Sequence, residues 1–232
     1  MGYVMVIGGC RAKAPGPYKA NFADNTWAQI IDACHKNQVP ETWVVGNQKT
    51  MMIDETDYAI DIIGKGHDDY ADGSGKAPLT FQLYDCFEQT VMMNGTETNK
   101  GGWTSCDMRS NYMPYFLMQM PTEVQNGIRE VNKLTSAGSQ SATINTTADK
   151  LFLLSEIEVF GRATYSVSGE GTQYDYYKAG NSKVKKINGK AQAWWERSPT
   201  DSSEAFCCVD PYGHYYKFPA NNEWGVAFAF CF

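Results

Sequence analysis

From Val226 onward, bulky Val226, Phe228, Phe230 and Phe232 alternate with small Ala227, Ala229 and Cys231. That period of two is the mark of an extended strand with a large and a small face, and such a strand belongs in a core. Upstream, Trp194-Trp195-Glu196-Arg197-Ser198-Pro199 reads as a second stiff end. Between the two, from Thr200 to Trp224, the aromatics Tyr212, His214, Tyr215, Tyr216, Phe218 and Trp224 mix with Asp201, Glu204, Asp210, Pro211, Gly213 and Pro219. They match neither the helical nor the strand period, which predicts a loop. The loop is unusually aromatic, and Tyr and Trp give rigid, amphipathic contact area at low entropic cost. The segment therefore reads as a binding surface held at both ends.

The 232 residues, 43% hydrophobic and 20% charged, fit one soluble globular domain. The net charge is −6, and no basic run exceeds the Lys183 to Lys186 patch, which argues against a nucleic-acid partner. No apolar run approaches the roughly 20 residues of a membrane span, and Met1 to Gly9 lacks the basic start and apolar length of a signal peptide. The expectation is a protein without membrane insertion or processing. Cys10, Cys34, Cys86, Cys106, Cys207, Cys208 and Cys231 show no zinc-site spacing, so free, mostly buried thiols made in a reducing compartment are expected.

Residues 1–21 carry little periodic signal and read as a connector, the trailing end of a longer parent chain, leaving 22–232 as the domain. A helix is predicted from Asp24 or Asn25, with Trp27, Ile30, Ile31 and Cys34 on one face and Pro40 as a stop. Thr42 to Ile53 and Tyr58 to Ile63 predict a hairpin around Asp54-Glu55-Thr56-Asp57. Gly64 to Pro78 reads as a loop, Leu79 to Tyr84 as a strand, and Asn94-Gly95 and Gly101-Gly102 as turns. A second helix is predicted over Pro121 to Leu134, with Val124, Ile128, Val131 and Leu134 as its stripe. Thr135 to Asp149 reads as a loop, Leu151 to Leu154 as a buried strand, and Ser166 to Asn181, with Tyr174, Tyr176 and Tyr177, as a loop again.

Asp68, Asp69 and Asp72 could offer oxygen ligands to calcium, but Tyr70 and Leu79 stand where an EF-hand loop needs an oxygen ligand and a closing glutamate. A polar turn with self-capping Asp side chains is the better reading. Cysteine nucleophile chemistry would need His35, His67 or His214 beside a thiol. Cys208 and His214 share the aromatic segment, without an orienting partner or an oxyanion donor. No Gly-rich phosphate loop, G-x-S-x-G or H-E-x-x-H is present. No catalytic residue, metal or cofactor is predicted.

Five pieces occur in order: Trp43-Val44-Val45-Gly46, Gly102-Trp103-Thr104-Ser105-Cys106-Asp107-Met108-Arg109, Leu151-Phe152-Leu153-Leu154-Ser155-Glu156, Trp194-Trp195-Glu196-Arg197-Ser198-Pro199, and Gly225-Val226-Ala227-Phe228. In this combination, across most of residues 22–232, the chain resembles the variable proteins of diversity-generating retroelements, which occur in bacteriophages and gut bacteria and end in a C-type lectin-like fold. The resemblance implies an α+β, loop-rich scaffold of two helices and twisted antiparallel sheets. Its variable region, about 199–224, would form an exposed ligand-binding face. The implied ligand-binding residues are Asp201, Glu204, Ala205, Cys208, Asp210, Tyr212, His214, Tyr215, Tyr216, Phe218, Glu223 and Trp224.

Diversification in that family rewrites template adenines, often in Asn codons, giving Tyr, His, Asp, Phe, Ser, Cys or Ala. Asp201, Ala205, Cys208, Asp210, Tyr212, His214, Tyr215, Tyr216 and Phe218 fit that palette. Glu204, Lys217, Glu223 and Trp224 need a purine in the third position and imply fixed positions or Lys-type template codons. The Trp194 to Pro199 motif carries over as scaffold, with Arg197 pairing a buried carboxylate or backbone carbonyls. The implied function is a non-catalytic receptor-binding module of a bacteriophage tail, carried on the virion and meeting a host-surface protein or glycan. A trimeric or otherwise multimeric parent would supply avidity. Alternatives are a bacterial cell-surface binder of the same fold, a formylglycine-generating type of oxidase relying on Cys207 or Cys231, and a calcium-dependent lectin.

Overall fold

A computed structural model describes residues 16–232; residues 1–15 of the expected connector, with Cys10, lie outside the described residues. Packing begins at Tyr18, ahead of position 22. Its hydroxyl donates to Asp32 at 2.6 Å, its ring lies 6.2 Å from Trp43, and the Lys19 carbonyl accepts from Trp43 Nε1 at 3.0 Å.

The first helix, α1 (Trp27–His35), is closed at its start by a capping box between Thr26 and Gln29. Asn25, expected as a cap, is instead buried, its amide donating to the carbonyls of Lys19, Asn21 and Phe22. Then come β1 (Gln48–Ile53), β2 (Thr56–Lys65) and β3 (Leu79–Leu83). The hairpin turn is the pair Asp54-Glu55, both in the left-handed region (φ 47° and 64°), as a two-residue turn requires for strands of right-handed twist. Four short helices follow singly or after strands: α2 (Gly102–Ser105), α3 (Met113–Gln119), α4 (Thr122–Gly127) and, beyond β4 (Val131–Ser136), β5 (Ile144–Asp149) and β6 (Leu151–Phe152), α5 (Glu156–Phe160). The chain closes with α6 (Asp175–Lys178), β7 (Lys185–Ile187), β8 (Lys190–Gln192), β9 (Trp194–Pro199), β10 (Ala205–Val209), β11 (Tyr215–Pro219) and β12 (Ala229–Cys231).

The class is α+β, with every strand pairing in its sheets antiparallel. A five-stranded sheet runs β1-β2-β3-β12-β6, a three-stranded sheet runs β11-β10-β9, and β4-β5 and β7-β8 are hairpins. Strand β12 lies between β3 and β6, and Val226 to Phe232 are buried throughout. Phe230 lies 5.4 Å from Phe81, Phe232 6.1 Å from Trp27 and Phe228 5.7 Å from Phe116, so the large face meets α1 and α3 across one core.

Six α-helices among the described residues replace the expected two. The predicted helix over Pro121 to Leu134 stops at Gly127. There a Cβ would lie 2.8–2.9 Å from Ile31, so glycine lets α4 approach α1 and then release the chain. Val131 and Leu134, one face of a helix, become opposite faces of β4: Val131 is buried, Leu134 is 37% exposed, and the intervening Lys133 is buried. The expected loop over Thr135 to Asp149 contains β5, whose inward residues are polar. Thr147 donates to Asp149 at 2.5 Å, and Asp149 accepts from Trp103 Nε1 at 2.9 Å and Arg109 at 2.6 Å.

Candidate functional site

The expected loop from Thr200 to Trp224 is a hairpin. Strand β10 is buried along its whole length between β9 and β11, and β11 forms the outer edge. Its pattern escaped periodic reading because both faces of β10 are covered and its edge partner is aromatic on both sides. Trp195 pairs with Cys208 and Pro199 with Phe206, leaving Glu196, Arg197 and Ser198 bulged opposite Cys207.

The bulge turns Arg197 inward, where it is fully buried. Its guanidinium donates to Glu158 at 2.5 and 2.9 Å, to the Leu153 carbonyl at 2.8 Å and to Thr135 at 3.0 Å. Glu158 also meets Lys133 at 2.8 Å, and Lys133 meets Asp68 at 2.7 Å. Burial alone would raise these carboxyls; Arg197 and Lys133 overcome it, hold Glu158 below the usual range and bring Asp68 to about 2. The motif thus takes both kinds of partner expected of it, a buried carboxylate and backbone carbonyls. Glu196, by contrast, is fully buried with neither carboxylate oxygen hydrogen-bonded, and burial, with Glu156 and Glu170 nearby, pushes its pKa well up.

The hairpin tip is fixed from within. Asp210 accepts from the amides of both Tyr212 and His214 at 2.8 Å, and Gly213 turns at φ 86° against Val184. Side chains of β11 then alternate. Tyr216 and Phe218 share one face in an aromatic ladder with Trp224, ring centroids 4.9 and 4.4 Å apart. Tyr215 and Lys217 take the other, where Tyr215 lies 5.7 Å from Phe160 and 5.9 Å from Tyr165.

Of the nominated residues, Asp201, Glu204, Tyr212 (79%), His214, Tyr216 (47%) and Glu223 are exposed, and Asp210, Tyr215, Phe218 and Trp224 are half-buried. Two are corrected: Ala205 and Cys208 are buried in β10, whose inner position leaves them no surface to offer a ligand. Tyr165, Phe160, Arg162 and Lys183 join the hairpin from outside the segment. Sequence reasoning missed them apart from the Lys183 to Lys186 patch.

No nucleophile is assembled here. Burial pushes the Cys207 and Cys208 thiols well up, Cys208 lies opposite Tyr216 within the sheet, and His214 is exposed on the turn. Cys207 and Cys231 stand in different sheets. The three aspartates weighed for calcium diverge. Asp68 turns inward to Lys133, Thr80 and Tyr174, Asp69 pairs with Lys76 at 3.0 Å, and Asp72 accepts from the Ser74 amide and pairs with Arg129 at 2.7 Å. His67, Asp68 and Glu158 bring ligand atoms within 4.8 Å of one another, but the Lys133 ammonium already bridges the two carboxylates.

A family described as a domain of unknown function (DUF6273) matches residues 80–232. No curated protein and no solved structure gives a significant match. The match covers more than half of the chain, including the entire hairpin and the strands that hold it, and the chain therefore belongs to the DUF6273 family.

Proposed function

We propose that this protein is a non-catalytic ligand-binding module with a C-type lectin-like scaffold. Its hairpin face, varied by a diversity-generating retroelement, meets a protein or glycan on a host surface as the receptor-binding end of a bacteriophage tail. The observation that supports this reading is the division of labour within one hairpin. Strand β10 is sealed in the core, while its turn and its edge partner display Tyr212, His214 and Tyr216. Exposed substitutions cost within about 0.5 kcal/mol, so such positions can change identity without unfolding the domain.

The test separates binding from folding. Tyr212→Ala combined with Tyr216→Ala should abolish host-cell binding and leave the melting temperature nearly unchanged. Tyr215→Ala is a different case, because its ring packs on Phe160 and Tyr165; it should cost about 1–2 kcal/mol. Retained binding in the double variant would sink the reading. Genomic context tests the diversification: a neighbouring reverse transcriptase and a near-copy of the final coding stretch, differing at adenines, are expected. Sequence upstream of the chain separates a tail protein from a bacterial surface protein, since a lipobox or signal peptide would exclude the former.

A further inference from the structure

The net charge of −6 conceals a local reversal beside the hairpin. On the face of β11 that carries Tyr215 and Lys217, cations from separate segments interleave with aromatic rings. The Arg162 guanidinium lies 5.2 Å from the Tyr215 centroid, the Lys217 ammonium 4.7 Å from Tyr165, and the Lys183 ammonium 5.5 Å from Phe160. Tyr215 touches both other rings, which makes the three rings and three cations one patch.

Lys217 is paired with Asp201 at 2.7 Å. Arg162 and Lys183 are not: among the described residues neither has a carboxylate within 4.0 Å, and neither side chain donates a hydrogen bond. Apart from Asp201, the acids of the segment lie elsewhere. The Glu204 carbonyl pairs with the Ala220 amide at the far end of the hairpin, Glu223 neighbours Trp224, and Asp210 is turned back onto its own turn. A guanidinium held over a ring has its charge fixed in place while its donors stay available to a planar acid.

We propose that this patch takes a carboxylated sugar, with Arg162 and Lys183 meeting the carboxylate and the apolar face of the pyranose ring stacking on Tyr165 and Tyr215. The inference rests on the reading of the hairpin as a binding element and assigns a ligand class to its Tyr215 and Lys217 face, opposite Tyr216. Three cations are too few for the long phosphate track of a nucleic acid. An acidic peptide supplies carboxylates without a rigid apolar ring face to match the paired tyrosines. A uronate and a sialate share the required chemistry, and the experiment distinguishes them.

Calorimetric titrations of the full chain would compare tetragalacturonate with its carboxyl-reduced counterpart, sialyllactose with lactose, and poly-L-glutamate, each at low and high salt. Binding is expected to one acidic sugar, to be absent for its neutral partner, and to weaken as salt rises. Arg162→Gln and Lys183→Gln should each weaken it about ten-fold, the scale of a charge-assisted hydrogen bond, and Lys190→Gln in β8 should not. Equal binding of neutral sugars, preference for poly-L-glutamate, no binding of either acidic sugar, or indifference to Arg162→Gln overturns the proposal. If the charge variants are silent in host-cell binding while Tyr212→Ala with Tyr216→Ala abolishes it, the acidic sugar falls and the hairpin reading stands. Silence of both sets removes both.

Discussion

Glu196 shows how the bulge that positions Arg197 burdens its neighbour. Turning Arg197 inward to Glu158 leaves the adjacent Glu196 fully buried with two unpartnered oxygens, and this burial pushes its pKa well above the usual carboxylate range. Glu170, accepting from Ser136 and Ser198, is raised by burial to about 7. Both carboxyls release protons more readily when unfolded. Their contribution is fully present below the unfolded value near 4.5 and is lost as pH rises through the folded values. Asp68 and Glu158 act in the opposite sense, contributing above their unfolded values and losing that contribution as pH falls. Glu196→Gln, which removes one ionisation and little else, should match the parent in chemical denaturation near pH 4 and exceed its stability at pH 7 and above. Equal stability at all pH values would mean that Glu196 is ionised and partnered in solution.

The strand β9 carries the same lesson in its packing. Removing one member of a buried charge pair costs about 3–5 kcal/mol, because its partner is left uncompensated. Arg197→Met should therefore destabilise strongly, and Arg197→Met with Glu158→Gln should recover part of the loss, since Lys133 and Asp68 still neutralise each other. Denaturant midpoints in a double-mutant cycle check this, and additive losses would contradict it. Apolar period revealed β12, the β1-β2 hairpin and α1, because their buried faces are built from Ile, Phe, Trp and Cys. It failed at β4 and β5, which bury Lys133, Thr135, Thr147 and Asp149 in polar contacts made by residues far away in sequence. At the hairpin the ingredients were readable as binding residues, but β10 was not, since Ala205, Cys207 and Cys208 carry no alternation when both faces are covered. Arg162, Tyr165 and Lys183 join the site through tertiary packing alone.

The family match begins at residue 80, but the core does not divide there. Phe22 stacks on Phe81 at 6.2 Å, Trp27 meets Phe81 and Phe232 at 6.1 Å each, and β2 pairs with β3 from Ile60↔Leu83 to Lys65↔Leu79. Deleting everything before residue 80 would uncover the rings of Phe81, Phe230 and Phe232 and turn β3 into a bare hydrophobic edge, the arrangement most prone to aggregate. A fragment spanning 80–232 should therefore lack cooperative unfolding and near-ultraviolet circular dichroism, whereas the full chain should unfold in one transition. A cooperatively folded fragment would show that the first three elements are an addition to a self-sufficient core. The binding hairpin makes the distinction consequential. Strand β9 is tied to the segment that leads into β12: Trp195 donates its amide to the Gly225 carbonyl at 3.0 Å and its ring N–H to the Val91 carbonyl at 2.8 Å. Val226, the residue after Gly225, accepts from the Phe87 amide at 2.7 Å, so a core opened at β3 would also loosen the platform beneath Tyr212 and Tyr216.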